Sequence, residues 1–290
     1  PLVYKNGARF HFELADSVQG FNCENSIVSK GTATVSNVLG HSIHGTRSLA
    51  IQYKSLAKGR CARVETPTFS PSAEISKYFS NRGYSLLACP TIYSGQTIIA
   101  RLIADEKNKE PVMFSLYLKH YNEMDEFTLV SSEKFLLKPG NDHQLCWKVP
   151  DTQSYPIAFI GLQLEGEKGE TGKVYLDYLD WKDEPSVRLN RPLEREVSKS
   201  NRGKGPIMWK SAWVDGMDGY EDMTQTDYWP EPYRLIQNVG RGLLIQGTRQ
   251  WKDYKITARM TPHMCDAGGI GIRVQGMTRY YALLIKKDRT

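Results

Sequence analysis

The sequence has little of what marks membrane, disulfide-rich or zinc-binding proteins. No apolar run approaches the roughly 18 residues that a membrane helix needs, and residues 1–7 do not resemble a signal peptide. The five cysteines are odd in number, widely scattered and never in a C-x-x-C pair. No Asn-x-Ser/Thr triplet occurs. These absences favour reduced thiols, a cytoplasmic location and no membrane partner; the alternative location is outside the cell, after removal of a signal peptide.

Composition predicts a globular chain without a nucleic-acid partner. The net charge is +6, but the 38 lysines and arginines are mixed with 32 acidic residues and no nucleic-acid-reading motif accompanies them. Hydrophobic residues make up 40% and charged residues 24%, as in ordinary globular proteins. Because 290 residues exceed what one hydrophobic core normally serves, the length predicts two domains.

Helical periodicity is also scarce, and its best candidate is a short segment at residues 71–79. Most of the chain predicts short strands, in which β-branched and aromatic residues partly alternate with polar ones. Turn signals separate these strands, and eight or more of them imply a β-sandwich. In the first part of the chain the strands are predicted at residues 48–53, 84–89, 97–103, 112–118, 127–130, 142–149, 157–164 and 173–179.

The composition changes at residues 182–206, where charged and small polar residues replace nearly all aliphatic ones, as in a linker. Strand patterning then resumes. Only about 85 residues remain against the ~100 of a complete sandwich, so we expect the native protein to continue. The predicted fold class is all-β, with two β-sandwich (jelly-roll) domains at 1–181 and 207–290, the second incomplete. Its strands are predicted at residues 207–213, 233–236, 242–246, 253–260, 269–275 and 280–285.

Three patterns are similar to catalytic or phosphate-binding motifs, but simpler structures are favoured. The acidic stretch 215–222 contains two glycines and no flanking helix, which favours an exposed turn over an acid/base pair or a metal site. The glycines of 268–271 precede strand alternation and not a helix, which favours a turn over a phosphate cradle. The six histidines carry no nucleophile motif. The sequence therefore predicts no catalytic residue.

Aromatic residues are better candidates for ligand binding, because sugars stack their C–H faces on aromatic rings. Tyr228 and Trp229 precede a proline-rich stretch that excludes a central strand and favours a loop displaying both rings. Arg273 is either a buried ion-pair partner or an inward-facing ligand contact. Trp147 and Trp181 are expected inside the first sandwich. The candidate ligand-binding residues, some of them expected in a polar and aromatic surface patch, are Tyr93, Gln96, Tyr121, Tyr228, Trp229 and Arg273.

The first domain resembles the galactose-binding-like jelly-roll modules found beside carbohydrate-active enzymes. The residues that carry the resemblance are 10–13 near the start, 45–50 before a strand and 174–181 at the end. Such modules often hold a structural calcium ion at the sandwich edge, a cation that takes carboxylate and carbonyl oxygens. The resemblance implies a calcium site at Glu13, the Arg47 carbonyl and Asp177; the alternative is that both carboxylates are ordinary polar residues at strand ends.

The second domain, in residues 251–259 and 268–275, is similar to concanavalin-A-like lectin/glucanase jelly rolls. The order of the two modules resembles the region after the catalytic domain of microbial ADP-ribosylglycohydrolase-like proteins. The short sequence segments that resemble that region are residues 94–97, 145–150 and 176–181. That family's catalytic domain is helical and binds magnesium, and the sequence shows no such helices, so the resemblance transfers no activity to this segment.

Three functions follow as hypotheses. The first is a non-catalytic segment that binds a glycan or glycosyl-like ligand, or that positions a neighbouring catalytic domain. The second is a glycoside hydrolase or lyase with its site in the second sandwich, which requires two acidic residues on one concave face. The third is an interdomain or oligomerisation scaffold without a ligand. Exposure of the aromatic candidates separates the three hypotheses.

Overall fold

The computed structural model describes residues 8–68, 91–122, 126–153, 155–187, 214–217, 242–248, 251–260, 262, 265–276 and 278–287. Regular structure within these ranges is β-strand throughout, without a helix, which confirms the all-β class. The chain divides into two compact units, Pro1–Phe69 with Pro90–Asn190 and Ser70–Cys89 with Arg191–Thr290. Predictions for 71–79, 84–89, 207–213 and 233–236 lie outside the described residues.

The described part of the first unit is a β-sandwich of two antiparallel sheets. The six-stranded sheet has the order β1-β4-β10-β6-β7, with β8 also paired to β6, and the five-stranded sheet has the order β2-β3-β11-β5-β9. Sequence neighbours are mostly not sheet neighbours, as in a jelly roll. The strands are β1 Asn22–Cys23, β2 Ala33–Leu39, β3 Arg47–Ala57, β4 Cys61–Pro67, β5 Thr97–Ala104, β6 Val112–Tyr121, β7 Phe127–Ser131, β8 Phe135–Leu137, β9 Asp142–Lys148, β10 Ile157–Glu165 and β11 Lys168–Lys182.

Alternation along the strands builds one core from both sheets. In β6, Leu116 and Leu118 are buried in this core, and in β10 Leu162 and Leu164 join them. Each intervening side chain then lies on the opposite face of its sheet, because successive residues of a strand point to opposite faces. Trp181 is buried in the core as predicted, and Trp147 packs against its edge half-buried.

Most predicted strands of the first unit are present, and four observed strands, two of them long, were not predicted. The strand predicted at 97–103 is observed at Thr97–Ala104, and the one predicted at 142–149 is observed at Asp142–Lys148. The two long strands that the sequence pattern did not indicate are β2 and β4. Strand β4 alternates small or aliphatic residues with charged ones and ends in a proline, a pattern that is weak by hydrophobicity alone.

The described part of the second unit contains two small antiparallel sheets. Strand β12 (Val214–Met217) pairs with β13 (Gly242–Ile245), and β14 (Ala267–Gly276) pairs with β15 (Arg279–Lys286). The strand predicted at 253–260 is wrong, because these residues carry no regular secondary structure. Its alternation reflects residues such as Ile256 that are exposed and do not belong to a buried sheet face.

Among the described residues, no helix is long and apolar enough to cross a lipid bilayer.

Candidate functional site

The outer face of the six-stranded sheet of the first unit, opposite the core, carries an unusual set of side chains. In β4, Ala62 and Val64 point into the core, so Arg63 and Glu65 lie on this outer face. The same alternation in β6 and β10 brings further polar and aromatic residues to it. The outer face is formed by Arg63, Glu65, Tyr117, Lys119, Tyr121, Phe127, Phe159, Gln163 and Glu165, with Glu24 after β1 at its edge.

Lys119 is the centre of an ion-pair network on the outer face. Its Nζ lies 2.7 Å from a carboxylate oxygen of Glu24 and 2.7 Å from one of Glu65. Arg63 is 3.4 Å from the Glu24 carboxylate. The side chains of Lys119, Glu24 and Glu65 are only 11–13% exposed, so these charges are largely removed from water and depend on one another.

Glu24 is held as a carboxylate. Burial opposes its ionisation, but hydrogen bonds from Lys119, Ser29 and Ser26, together with the charge of Lys119, outweigh burial and lower its pKa to about 2. The two serine hydroxyls donate to Glu24 Oε2 at 2.6 and 2.8 Å. Glu24 is therefore a permanent acceptor at neutral pH.

Tyr117 forms the floor between β4 and β6. Its hydroxyl donates to Glu65 at 2.8 Å, and its ring covers Gly161, its cross-strand partner in β10. Burial, followed by the charge of Glu65, raises the pKa of Tyr117 well above the usual range, so the phenol stays protonated. Tyr117 is fully buried although it lies on the outer face, because the ion-pair network covers it.

The hydrogen bonds continue along β10. Arg63 Nε donates to Gln163 at 2.5 Å, and the Gln163 amide donates in turn to Glu165. Lys134 pairs with Glu165 at 2.6 Å but is itself largely exposed. A continuous row of donors and acceptors therefore crosses strands β4, β6 and β10.

An aromatic ledge borders this polar row and consists of Tyr121, Phe127 and Phe159. The ring centroids of Tyr121 and Phe127 are 4.8 Å apart, and those of Phe127 and Phe159 are 5.5 Å apart. Phe127 is 51% exposed. The Lys119 ammonium lies 5.7 Å from the Phe159 ring, so the ledge and the ion-pair network are in contact.

Of the ligand-binding residues predicted from sequence, Tyr121 lies on this ledge. Tyr93 and Gln96 are buried, so the surface position expected for them is wrong. Gln96 accepts a hydrogen bond from the Tyr93 amide at 3.0 Å and donates to the Asp183 carbonyl at 3.1 Å, which stabilises the loop before β5. In the turn at residues 93–96, the polar side chain of Gln96 satisfies backbone groups instead of facing solvent.

Two further predictions concern the second unit. Tyr228 and Trp229 lie outside the described residues. Arg273 is exposed, with its guanidinium 3.8 Å from the exposed Asp253 carboxylate, so neither the buried ion pair nor the inward-facing contact is observed. Strand β14 has its irregular register at this point, and Arg273 has a positive φ of 51°, which interrupts the alternation on which the prediction rested.

The two carboxylates of the expected calcium site, Glu13 and Asp177, each contact the segment at residues 43–47. Glu13 accepts hydrogen bonds from the Thr46 and Arg47 amides at 3.0–3.2 Å and from the Thr46 hydroxyl. The fully buried Asp177 accepts from the Ile43 and His44 amides at 3.1 and 3.2 Å. These N–H groups hold the carboxylate oxygens that a cation would need, so in this arrangement both carboxylates anchor the loop.

No protein-family model and no curated protein matches the chain. A solved structure on the promiscuous specificity of carbohydrate-binding modules of the β-sandwich superfamily is 16% identical, with a TM-score of 0.43. That match covers 61% of this chain and 62% of the other, so the chain spans less than two thirds of it. The C-terminal family 22 carbohydrate-binding module of Clostridium thermocellum Xyn10B is 12% identical, with coverages of 61% and 94% and a TM-score of 0.40. The CBM22-1 xylan-binding domain of Paenibacillus barcinonensis Xyn10C is 9% identical, with coverages of 61% and 94% and a TM-score of 0.42.

Sequence reasoning missed the ion-pair network and most of the ledge. A signal was present in residues 61–66, where Arg63 and Glu65 alternate with core residues, and in β6, where Tyr117 and Lys119 do the same. Charged residues that recur on one face of a strand, with an aromatic among them, indicate a polar outer face of the sheet.

Proposed function

We propose that the first unit binds a glycan on the outer face of its six-stranded sheet. The observation that carries this proposal is the continuity of the exposed ledge with the row of paired polar side chains. Aromatic rings offer apolar surfaces to the C–H faces of sugars, while neighbouring carboxylates, amides and ammonium groups hydrogen-bond the hydroxyls. Both elements occur side by side on this face.

The ionised state of Glu24 favours a binding role for this carboxylate over that of a glycosidase acid. Hydrolysis needs one carboxyl group that is protonated near neutral pH, and such a group has a raised pKa. Glu24 has its pKa lowered to about 2 and is held by Lys119 and two serines. Its role is therefore that of a hydrogen-bond acceptor.

Calorimetry with a panel of oligosaccharides tests the proposal, with Phe127→Ala as the decisive variant. Because Phe127 is half exposed, removing its ring should leave the fold intact and weaken glycan affinity about tenfold, as expected for loss of one stacking surface. The matched control is Leu39→Ala, which removes an apolar side chain that is 71% exposed on the five-stranded sheet. Equal effects of both variants, or no binding by the wild type, would refute the proposal.

The role of the whole protein is a further part of the proposal. The sequence resemblance supports an accessory segment beside a catalytic domain of the ADP-ribosylglycohydrolase type, and the scattered, unpaired cysteines support a cytoplasmic location. ADP-ribose therefore belongs in the ligand panel. Saturable binding of ADP-ribose that survives in Phe127→Ala would support this neighbour through a site away from the outer face, and binding of glycans alone would separate the module from it.

A further inference from the structure

The charges of the outer face compensate one another within the protein. Three cations, Arg63, Lys119 and Lys134, stand against three carboxylates, Glu24, Glu65 and Glu165. Lys119 serves two of these carboxylates at 2.7 Å, and Arg63 divides its guanidinium between Glu24 and Gln163. The network is therefore neutral as a set, and its two central cations are already paired.

An acidic ligand would meet an unfavourable surface here. A uronate or sulfate needs a cation with unused hydrogen-bonding capacity, and Lys119 is both paired twice and only 12% exposed. The same approach brings the anion close to Glu24 and Glu65, which repel it in a site of reduced water access. Glu126, which hydrogen-bonds Asn122 beside the ledge, adds a fourth carboxylate on that side.

An uncharged sugar meets no such penalty. Its hydroxyl groups can donate to carboxylate oxygens and accept from the ammonium or guanidinium without breaking the ion pairs, and its C–H face can lie on the ledge. We infer that the outer face selects uncharged glycans and discriminates against their uronate counterparts. This inference rests on the proposed function, because it specifies the ligand class of the same face.

The test compares hexose oligosaccharides with the same oligosaccharides oxidised at C6 to uronates, by calorimetry at low and at high ionic strength. The two ligands of each pair differ in charge and share their backbone. We expect the neutral member to bind at least about tenfold tighter, with an affinity that does not change with salt. Uronates that bind as tightly as the neutral sugars, or more tightly, would overturn the inference while leaving the proposed function in place.

Removing the two carboxylates should reverse the preference. In the double variant Glu24→Gln/Glu65→Gln, Lys119 keeps its position between two amides but loses both negative partners. Uronate binding should then become measurable, and it should weaken as salt rises. The control is Glu106→Gln/Glu110→Gln, which removes the same charge at two exposed positions outside the face and should keep the wild-type preference.

The outcomes separate glycan binding by the outer face from its selectivity for uncharged glycans. If the double variant does not fold, the wild-type comparison of matched ligands and its salt dependence still decide the inference. A variant that folds and still rejects uronates would show that Glu24 and Glu65 do not set the selectivity, which overturns it. If neither ligand class binds the wild type, the proposed function fails together with the inference.

Discussion

The ring of Tyr117 in β6 lies directly over the backbone of Gly161 in β10, its cross-strand partner. A β-carbon at position 161 would come within 2.5 Å of Tyr117 Cζ and within 2.5 Å of the Val64 carbonyl oxygen. The absence of a side chain at Gly161 therefore lets the Tyr117 ring pack against the strand backbone, where its hydroxyl donates to Glu65 at 2.8 Å. This close approach fixes how far the Tyr117 ring stands out from the sheet on the outer face.

Gly161→Ala should consequently destabilise the first unit and weaken glycan binding. The added methyl group has backbone on one side and a buried ring on the other, so we expect a loss of about 1–3 kcal/mol in the free energy of unfolding, as for other overpacked sites. Denaturant unfolding and calorimetry measure the two effects. Gly276→Ala is the control, because a β-carbon there meets nothing within 4 Å, and equal losses in the two variants would contradict the interpretation.

Lys119→Met should cost far more stability than Lys134→Met. Lys119 is nearly buried between Glu24 and Glu65, and its removal leaves two carboxylates of like charge close together, for which we expect a loss of about 2–4 kcal/mol. Lys134 also pairs with a carboxylate, but its side chain is mostly exposed, and its loss should stay below about 1 kcal/mol. Urea unfolding of both variants at neutral pH makes the comparison. Similar values would show that the Lys119 network is solvated.

The lowered pKa of Glu24 predicts an acid-sensitive contribution to stability. Its folded pKa of about 2 lies below the ordinary glutamate pKa of 4.5, so folding favours the carboxylate. This contribution is complete above about pH 4.5 and is lost as the pH falls through the folded value, reaching roughly 3 kcal/mol at most. Unfolding of wild type and Glu24→Gln between pH 7 and pH 2 tests it. The difference between the two proteins should shrink as the pH falls, and a constant difference would contradict the assignment.

The sequence predicts the sandwich better than the site because each strand is a local pattern, whereas the site combines residues that lie far apart in the sequence. A strand such as Thr97–Ala104 is visible in the alternation of its own residues. The outer face instead joins Glu24, Arg63, Lys119 and Gln163, which meet only through the pairing of β1, β4, β10 and β6. Alternation indicates the face on which each residue lies, but it does not give the order of the strands in the sheet.

For the predicted site residues, the sequence likewise does not show which ones are exposed. An aromatic residue at a strand end is a candidate for ligand contact, and Tyr121 lies on the ledge because it pairs with Phe127 of the neighbouring strand β7. The loop position of Gln96 predicts a polar residue in a surface patch, but Gln96 is buried, because its amide donates to the carbonyl of Asp183, far along the chain. Local sequence does not distinguish a polar side chain that faces solvent from one that satisfies a buried backbone.

The loop anchored by Glu13 and Asp177 provides the last prediction. Both carboxylates accept backbone N–H groups of residues 43–47, so we expect the loop to be held without a cation and the melting temperature to be the same in calcium and in a chelator. Asp177→Ala should cost about 1–3 kcal/mol, because it leaves two amides without their acceptor in a buried position. Thermal unfolding of the wild type and this variant, each with calcium and with chelator, measures both effects. A calcium-dependent rise of several degrees in the wild type that disappears in Asp177→Ala would instead show that the carboxylates turn from the amides to a bound ion, as the sequence resemblance implies.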